Sequence, residues 1–174
     1  MTTSSVPERL RLSRPGRPVR PDARFMRARL SRLIALGFGT GLAPMAAGTV
    51  GTLWAWAAFA LGSLWLTPAG WLAVVAVGFV AGVWACGRAS HDLGVDDHRA
   101  IVWDEIVAFW LVLALLPPAF GWQLAGFVLF RLFDIVKPPP IRTIDRRVRG
   151  GLGVMLDDAA AAFATLLVLA WWAR

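Results

Sequence analysis

Five apolar segments, separated by short polar or turn sequences, dominate the pattern along the chain. They cover residues 49–66, 71–87, 101–116, 121–136 and 154–173. No stretch alternates apolar and polar positions with the period of a strand, so each segment is predicted to be helical. Their lengths approach the roughly 20 apolar residues that cross a bilayer. The pattern predicts an all-α fold: a compact bundle of about five to six helices, largely membrane-embedded, with short connecting loops.

The N-terminal region differs in composition from the rest of the chain. Residues 1–24 are rich in Pro, Arg and Ser and are predicted to form a disordered tail, which leaves residues 25–174 as one helical domain. Residues 25–36 place apolar side chains on one face and Arg elsewhere, which predicts a helix lying on the membrane surface or packed on the body of the protein. Residues 37–51 are predicted to form a loop, with Thr49 as the N-cap of the next helix.

Charge is distributed unevenly along the chain. The net charge is +7, and residues 1–32 contain nine Arg against two acidic residues, so the remainder is neutral. A basic tail beside membrane segments favours contact with anionic lipid, and no aromatic-rich basic fold supports binding to nucleic acid. The positive-inside rule then predicts a cytoplasmic N-terminus. Five spans place the charged loops 88–99 and 137–153 inside, and the uncharged turns 67–70 and 117–121 outside.

Several ionisable residues lie at the predicted cytoplasmic ends of apolar segments. Because such residues are costly inside a membrane segment, those at one level are expected to share a site. Carboxylates gathered there repel one another unless a cation neutralises them, and oxygen ligands without Cys favour Mg²⁺ over zinc. Adjacent helical residues point about 100° apart, so one member of each acidic pair is expected to bind metal and the other to stand behind it. The residues are Asp104, Glu105, Arg131, Asp134, Asp157 and Asp158.

Cations beside this predicted metal site suggest phosphoryl chemistry. A metal polarises a phosphoryl group, while Arg131, Lys137 and Arg142 offset the charge of the phosphate. A site that opens at the cytoplasmic membrane surface implies a lipid substrate whose headgroup carries the phosphate.

Three stretches of the chain resemble the phosphatidylglycerophosphatase A family: GLAPMAAGTVGT at 41–52, IVWDEIVAFW at 101–110 and FRLFDIVKPPPIRTIDRRVRGGLGVMLDD at 130–158. The resemblance implies a Mg²⁺-dependent, multi-pass enzyme of the bacterial inner membrane. Such an enzyme hydrolyses phosphatidylglycerophosphate to phosphatidylglycerol and phosphate on the cytoplasmic side. The resemblance also implies the roles of individual residues. The catalytic and metal-binding residues would be Asp104, Glu105, Asp134, Asp157 and Asp158. The substrate-binding residues would be Thr49, Arg131, Lys137, Arg142 and Asp145.

Two other functions are compatible with the same cluster. One is a phosphatase of another phosphorylated lipid, which a panel of substrates would separate from the first. The other is a non-enzymatic membrane protein that binds a cation or anionic lipid and releases no phosphate from any phospholipid.

Overall fold

The computed structural model describes residues 20–139 and 141–174, except for the side chains of residues 144–146. Throughout this described part the regular structure is helical, which confirms the predicted all-α class. The elements are α1 (Ala23–Arg27), α2 (Leu30–Ala35), a 3-10 helix (Gly37–Leu42), α3 (Ala47–Gly62), α4 (Pro68–Leu93), α5 (Trp103–Leu115), α6 (Phe120–Val136), α7 (Ile141–Arg147) and α8 (Gly150–Trp172).

Helix α5 forms the centre of the bundle. It packs against α3, α4 and α8, and ten of its 13 residues are buried. Two indole N–H groups on α5 donate to backbone carbonyls of its neighbours: Trp103 Nε1 to Gly78 O and Trp110 Nε1 to Ala55 O, both at 2.9 Å. A buried indole N–H needs such an acceptor, so these bonds fix the rotation of α5 about its axis. They thereby fix the direction in which its first turn points.

Helix α8 crosses α4 at very short range near its N-terminus. A Cβ placed on Gly151 would lie 1.9 Å from Val83 O and 2.6 Å from Gly87 N, so only glycine permits this approach. Helix α6 packs along the same α8. The crossing therefore holds the start of α8 beside α4 and α5, two turns before Asp157 and Asp158.

The prediction of one continuous helix over residues 25–36 is wrong. The backbone of Arg29 is extended (φ −149°), and it separates α1 from α2. Arg29 Nη1 lies 3.5 Å and Arg32 Nε 2.9 Å from Asp92 Oδ2, so both guanidinium groups bind the end of α4. This ion-pair cluster packs the N-terminal helices on the body of the protein. Of the predicted tail, residues 1–19 lie outside the described residues.

Two predicted loops are shorter than expected. Within residues 37–51, a 3-10 helix forms and α3 already begins at Ala47, so Thr49 is not an N-cap. The predicted loop 88–99 begins only at Gly94, whose left-handed backbone (φ 75°) ends α4. Helix α4 continues past Gly87 because its buried stripe of small and apolar side chains recurs at helical spacing up to Leu93. Helix α7 was not predicted; it forms within the Pro- and Arg-rich connection.

Two of the described helices, α4 with 26 residues and α8 with 23, are long and apolar enough to cross a membrane. Large apolar side chains are exposed on both, for example Val77 and Val80 on α4 and Leu167 on α8, each at least 71% exposed. Apolar surface of this kind on a long helix is typical of contact with lipid. Five complete spans remain a prediction, because the other apolar helices are shorter.

Candidate active site

Three helices bring carboxylates together at one end of the bundle. Glu105 lies in the first turn of α5, Asp134 in the last turn of α6, and Asp158 two turns into α8. One carboxylate oxygen from each lies within 4.8 Å of the others. We call these three residues the carboxylate triad. Because the helices run in alternating directions, only their site-facing ends can supply ligands to one point.

Several oxygens of this cluster are buried and lack a hydrogen-bond donor among the described residues. They are Oε2 of Glu105, Oδ2 of Asp158 and Oδ1 of Asp104, which precedes Glu105. A buried carboxylate oxygen without a donor is costly, and like charges at this range raise the cost further. A divalent cation bound by the triad would remove both penalties. All the candidate metal ligands are oxygen atoms, which are the ligands that Mg²⁺ prefers.

Arg131 holds two members of the triad in place. Its Nη1 lies 3.1 Å from Glu105 Oε1 and 2.8 Å from Asp134 Oδ2, and it donates to Thr52 Oγ1 at 3.4 Å. Thr52 in turn donates to Gly48 O at 2.9 Å, so the chain of contacts ends on the backbone of α3. A single guanidinium cannot neutralise three carboxylates. Arg131 therefore orients the triad, but its single positive charge does not offset three ionised carboxylates.

Lys137 approaches the cluster from the other side. It follows α6 in a left-handed conformation (φ 45°), a strained position for a residue with a side chain. This turn directs its ammonium group to Asp157 Oδ2, to which it donates, and to 4.0 Å from Asp97 Oδ2. Asp157 thus engages Lys137 while the adjacent Asp158 joins the triad. Of the two acidic pairs, Glu105 and Asp158 are the members in the triad. That one member of each pair binds metal stays a prediction.

A cavity of about 390 Å³ opens beside the triad. Gly48 forms part of its wall, and a Cβ there would lie 1.9 Å from Glu105 Oε1 and 2.4 Å from Oε2. The Glu105 carboxylate therefore rests directly against the backbone of α3. The titratable and cationic side chains that line the cavity are Asp97, Arg99, Asp104, Glu105, Asp134, Lys137, Asp157 and Asp158.

Comparison with known proteins identifies the family of the chain. The family model "Phosphatidylglycerophosphatase A" matches residues 33–173, which include every helix that contributes to the triad. The chain belongs to the phosphatidylglycerophosphatase A family. The resemblance noted in the sequence is thereby confirmed, and with it the classification as a lipid phosphatase. The family and the two long apolar helices suggest a membrane protein.

Individual relatives agree with this assignment. The chain is 41% identical over 143 residues to a protein of Escherichia coli (strain K12) named phosphatidylglycerophosphatase A, covering 79% of this chain and 80% of that protein. It is 43% identical over 141 residues to a Haemophilus influenzae protein of the same name, covering 79% and 85%. A Bacteroides thetaiotaomicron protein, provisionally named a phosphatidylinositol-3-phosphatase, is 39% identical over 149 residues, covering 79% and 90%. No solved structure gives a significant match.

Of the five residues to which the phosphatidylglycerophosphatase A motifs assign substrate contacts, Lys137 alone lines the cavity among the described side chains. Arg131 lies behind the triad, where it pairs with Glu105 and Asp134.

The other three lie apart from the cavity wall or cannot be placed. Thr49 is half-buried in the first turn of α3, and its neighbour Gly48 lines the cavity instead. Arg142 is exposed on α7, where its Nη2 donates to Val136 O at 3.4 Å. The side chain of Asp145 lies outside the described residues.

Sequence reasoning also missed residues that the structure places at the phosphatidylglycerophosphatase A site. Asp97 lies in the charged loop predicted over residues 88–99 and was not assigned to the site, yet it lines the cavity and lies near Lys137. Thr52 is fully buried behind Arg131. Neither position carries a local pattern that distinguishes it. For Asp97, the only indication in the sequence was its position in a charged loop between two apolar segments.

Proposed function

We propose that the protein is a Mg²⁺-dependent phosphatidylglycerophosphatase, which hydrolyses phosphatidylglycerophosphate to phosphatidylglycerol and phosphate. The observation that carries the proposal is the carboxylate triad, in which three oxygens from separate helices lie within 4.8 Å. Two of its members have buried oxygens without a donor among the described residues. An anionic phosphate would be repelled from this cluster unless a cation accompanied it. The family relatives support the choice of substrate.

The residues present suit hydrolysis by water. Glu105, Asp134 and Asp158 would hold the cation, which when bound polarises the phosphoryl group and offsets its charge. Lys137, on the cavity wall, offers an ammonium group to the phosphate oxygens. Asp104 lines the same cavity and has a buried oxygen without a donor, so it is the carboxylate placed to accept a proton from water. The water oxygen bonds to phosphorus, the phosphorus–oxygen bond to the lipid headgroup breaks, and the departing oxygen takes up a proton.

The proposed setting is the cytoplasmic face of a bacterial inner membrane. The triad lies at the end of the bundle that carries the charged connections, residues 94–102 and 137–149. The opposite connections, residues 63–67 and 116–119, contain no charged residue. The excess of Arg in residues 1–32 favours the cytoplasmic side for the same end.

The test is phosphate release from phosphatidylglycerophosphate in detergent micelles, measured over a Mg²⁺ series. Wild-type protein is expected to be active only with the divalent ion. Glu105→Gln and Asp158→Asn should each lower kcat by about 100-fold or more, as does loss of a group that supports transition-state charge. Asp96→Asn is the matched control, because Asp96 is an exposed loop carboxylate outside the lining of this cavity. Wild-type turnover in the Glu105→Gln/Asp158→Asn double variant would refute the metal site.

A phosphatase of another lipid phosphate is the second candidate, and the Bacteroides thetaiotaomicron relative favours it. A panel containing phosphatidylglycerophosphate, phosphatidylinositol 3-phosphate and phosphatidate separates the two. The proposal requires the highest kcat/KM on phosphatidylglycerophosphate. A higher kcat/KM on another lipid would identify that lipid as the substrate and would leave the proposed metal site unchanged.

A further inference from the structure

A second cavity, of about 600 Å³, adjoins the first. Ala43, Pro44, Ala47 and Arg99 line both cavities, so a ligand in one lies next to a ligand in the other. Residues 41–44, which are the end of the 3-10 helix and the start of its connection to α3, line the second cavity. A molecule larger than a single phosphate can therefore occupy both.

The charges of the two cavities are opposite. Six carboxylates line the first cavity, whereas no carboxylate lines the second among the described residues. The second is lined instead by Arg20, His98 and Arg99. Arg99 forms no ion pair with any carboxylate that the structure describes, so its guanidinium group remains available to an anion. An anionic group that enters without a cation is favoured in the second cavity alone.

His98 adds a neutral donor to the same wall. The backbone N–H of Ala100 donates to His98 Nδ1 at 3.1 Å, so the ring proton of the neutral imidazole lies on Nε2. Partial burial lowers the pKa of His98, and the positive charge of Arg99 lowers it further. Both effects favour the neutral imidazole. The wall then combines guanidinium charge with a hydrogen-bond donor, the combination that suits a singly charged phosphate ester.

The geometry points to a subsite for the phosphodiester of the lipid substrate, in which Arg99 is the specificity-determining residue. This inference rests on the proposed function, since it assumes that the triad binds the terminal phosphomonoester. Phosphatidylglycerophosphate carries both groups, a diester that joins the headgroup to the lipid and a monoester at the end. Phosphatidylinositol 3-phosphate carries both as well, whereas phosphatidate has the monoester alone. The subsite would favour either of the first two lipids over phosphatidate.

The test compares Arg99→Gln with wild type in full-length protein. KM for phosphatidylglycerophosphate should rise about tenfold, as expected for loss of one charge-assisted hydrogen-bonding group. The kcat of the variant should stay within about twofold of the wild-type value. Phosphatidylglycerol, which has the diester without the monoester, should inhibit wild type competitively, and its Ki should rise equally in the variant. The Ki of inorganic phosphate should not change. Arg99→Lys should recover part of the affinity, because it keeps the charge and loses the planar fork.

Arg88→Gln is the matched control, because Arg88 is an exposed arginine that lines neither cavity. A change in the Ki of inorganic phosphate with none in that of phosphatidylglycerol would assign Arg99 to the monoester and overturn the inference. Unchanged constants for both inhibitors would also overturn it. These outcomes are distinct from failure of the proposed function, in which wild-type protein itself releases no phosphate from phosphatidylglycerophosphate at any Mg²⁺ concentration.

Discussion

Replacing Gly48 with Ala should inactivate the enzyme without unfolding it. The new methyl group would lie 1.9 Å from Glu105 Oε1 and 2.5 Å from its Cδ. An ordinary contact between carbon and oxygen requires more than about 3 Å, so the carboxylate must move by more than about 1 Å. The atoms that yield are the end of a flexible side chain. The substitution therefore displaces a carboxylate of the triad and leaves the helices in place.

The expected size of the effect follows from that displacement. A misplacement of about 1 Å in a catalytic constellation can cost about 100-fold in rate, so kcat should fall by this factor and the Mg²⁺ concentration needed for activity should rise. Stability should be unchanged or slightly higher, because Ala is favoured over Gly in a helix by up to about 1 kcal/mol. Gly121→Ala on α6 is the control, since its Cβ meets no atom within 4 Å.

A double-mutant cycle sharpens the Gly48 experiment. Glu105→Asp withdraws the carboxylate from the wall by one methylene group, so Gly48→Ala should cost much less activity in the Glu105→Asp background than in wild type. The measurements are kcat from phosphate release, the Mg²⁺ activation curve and the thermal midpoint in detergent. Wild-type kcat and Mg²⁺ dependence in Gly48→Ala would refute the placement of Glu105 against α3. Strictly additive losses in the cycle would show that the two positions do not act through contact.

Three further predictions concern the site and the bundle. Arg131→Met leaves Glu105 and Asp134 buried without their cation, so without Mg²⁺ it should lower stability by about 3–5 kcal/mol in denaturant unfolding; an unchanged midpoint would contradict the ion pairs. Mg²⁺ at 100 times its Kd should stabilise wild type by about 2.7 kcal/mol in thermal scans, and this gain should vanish in Asp134→Asn; an equal gain in both would place the ion elsewhere. Gly151→Ala should destabilise the fold by about 3 kcal/mol, because its Cβ would lie 1.9 Å from Val83 O; wild-type stability would mean that α4 and α8 separate freely.

The five long helices could be predicted because each is a continuous apolar segment, and continuity is a local property of the sequence. The meeting of Asp104, Asp134 and Asp158 in one cavity could be predicted as well, because alternating helix directions place all three at the same end. The residues at which the helices begin and end were harder to predict. Helix α4 continues to Leu93 through polar residues because its buried stripe continues, and that stripe is recognisable only once α2 and α5 are known to pack there.

The remaining features that the sequence did not predict depend on contacts between distant parts of the chain. Arg29 and Arg32 were placed only on the polar side of a predicted helix, whereas both bind Asp92, about 60 residues away, and no local pattern records that pairing. Gly48 was noted only as part of the stretch 41–52 that resembles the family. Its importance comes from the Glu105 carboxylate resting against it, which depends on the spacing between α3 and α5.

In a bilayer, the exposed tryptophans at the end of α8 would set the immersion depth of the whole molecule. Trp171 and Trp172 are 78% and 76% exposed, and Trp65, in the turn after α3, is 79% exposed. Indoles settle at the boundary between headgroups and hydrocarbon. Asp158 lies 14 residues before Trp172, about 21 Å along the helix axis, while the hydrocarbon layer is about 30 Å thick. The acidic pocket would then sit about 9 Å beneath the opposite boundary, so a lipid must sink below its neighbours, or the bilayer must thin locally, before its phosphate can be cleaved.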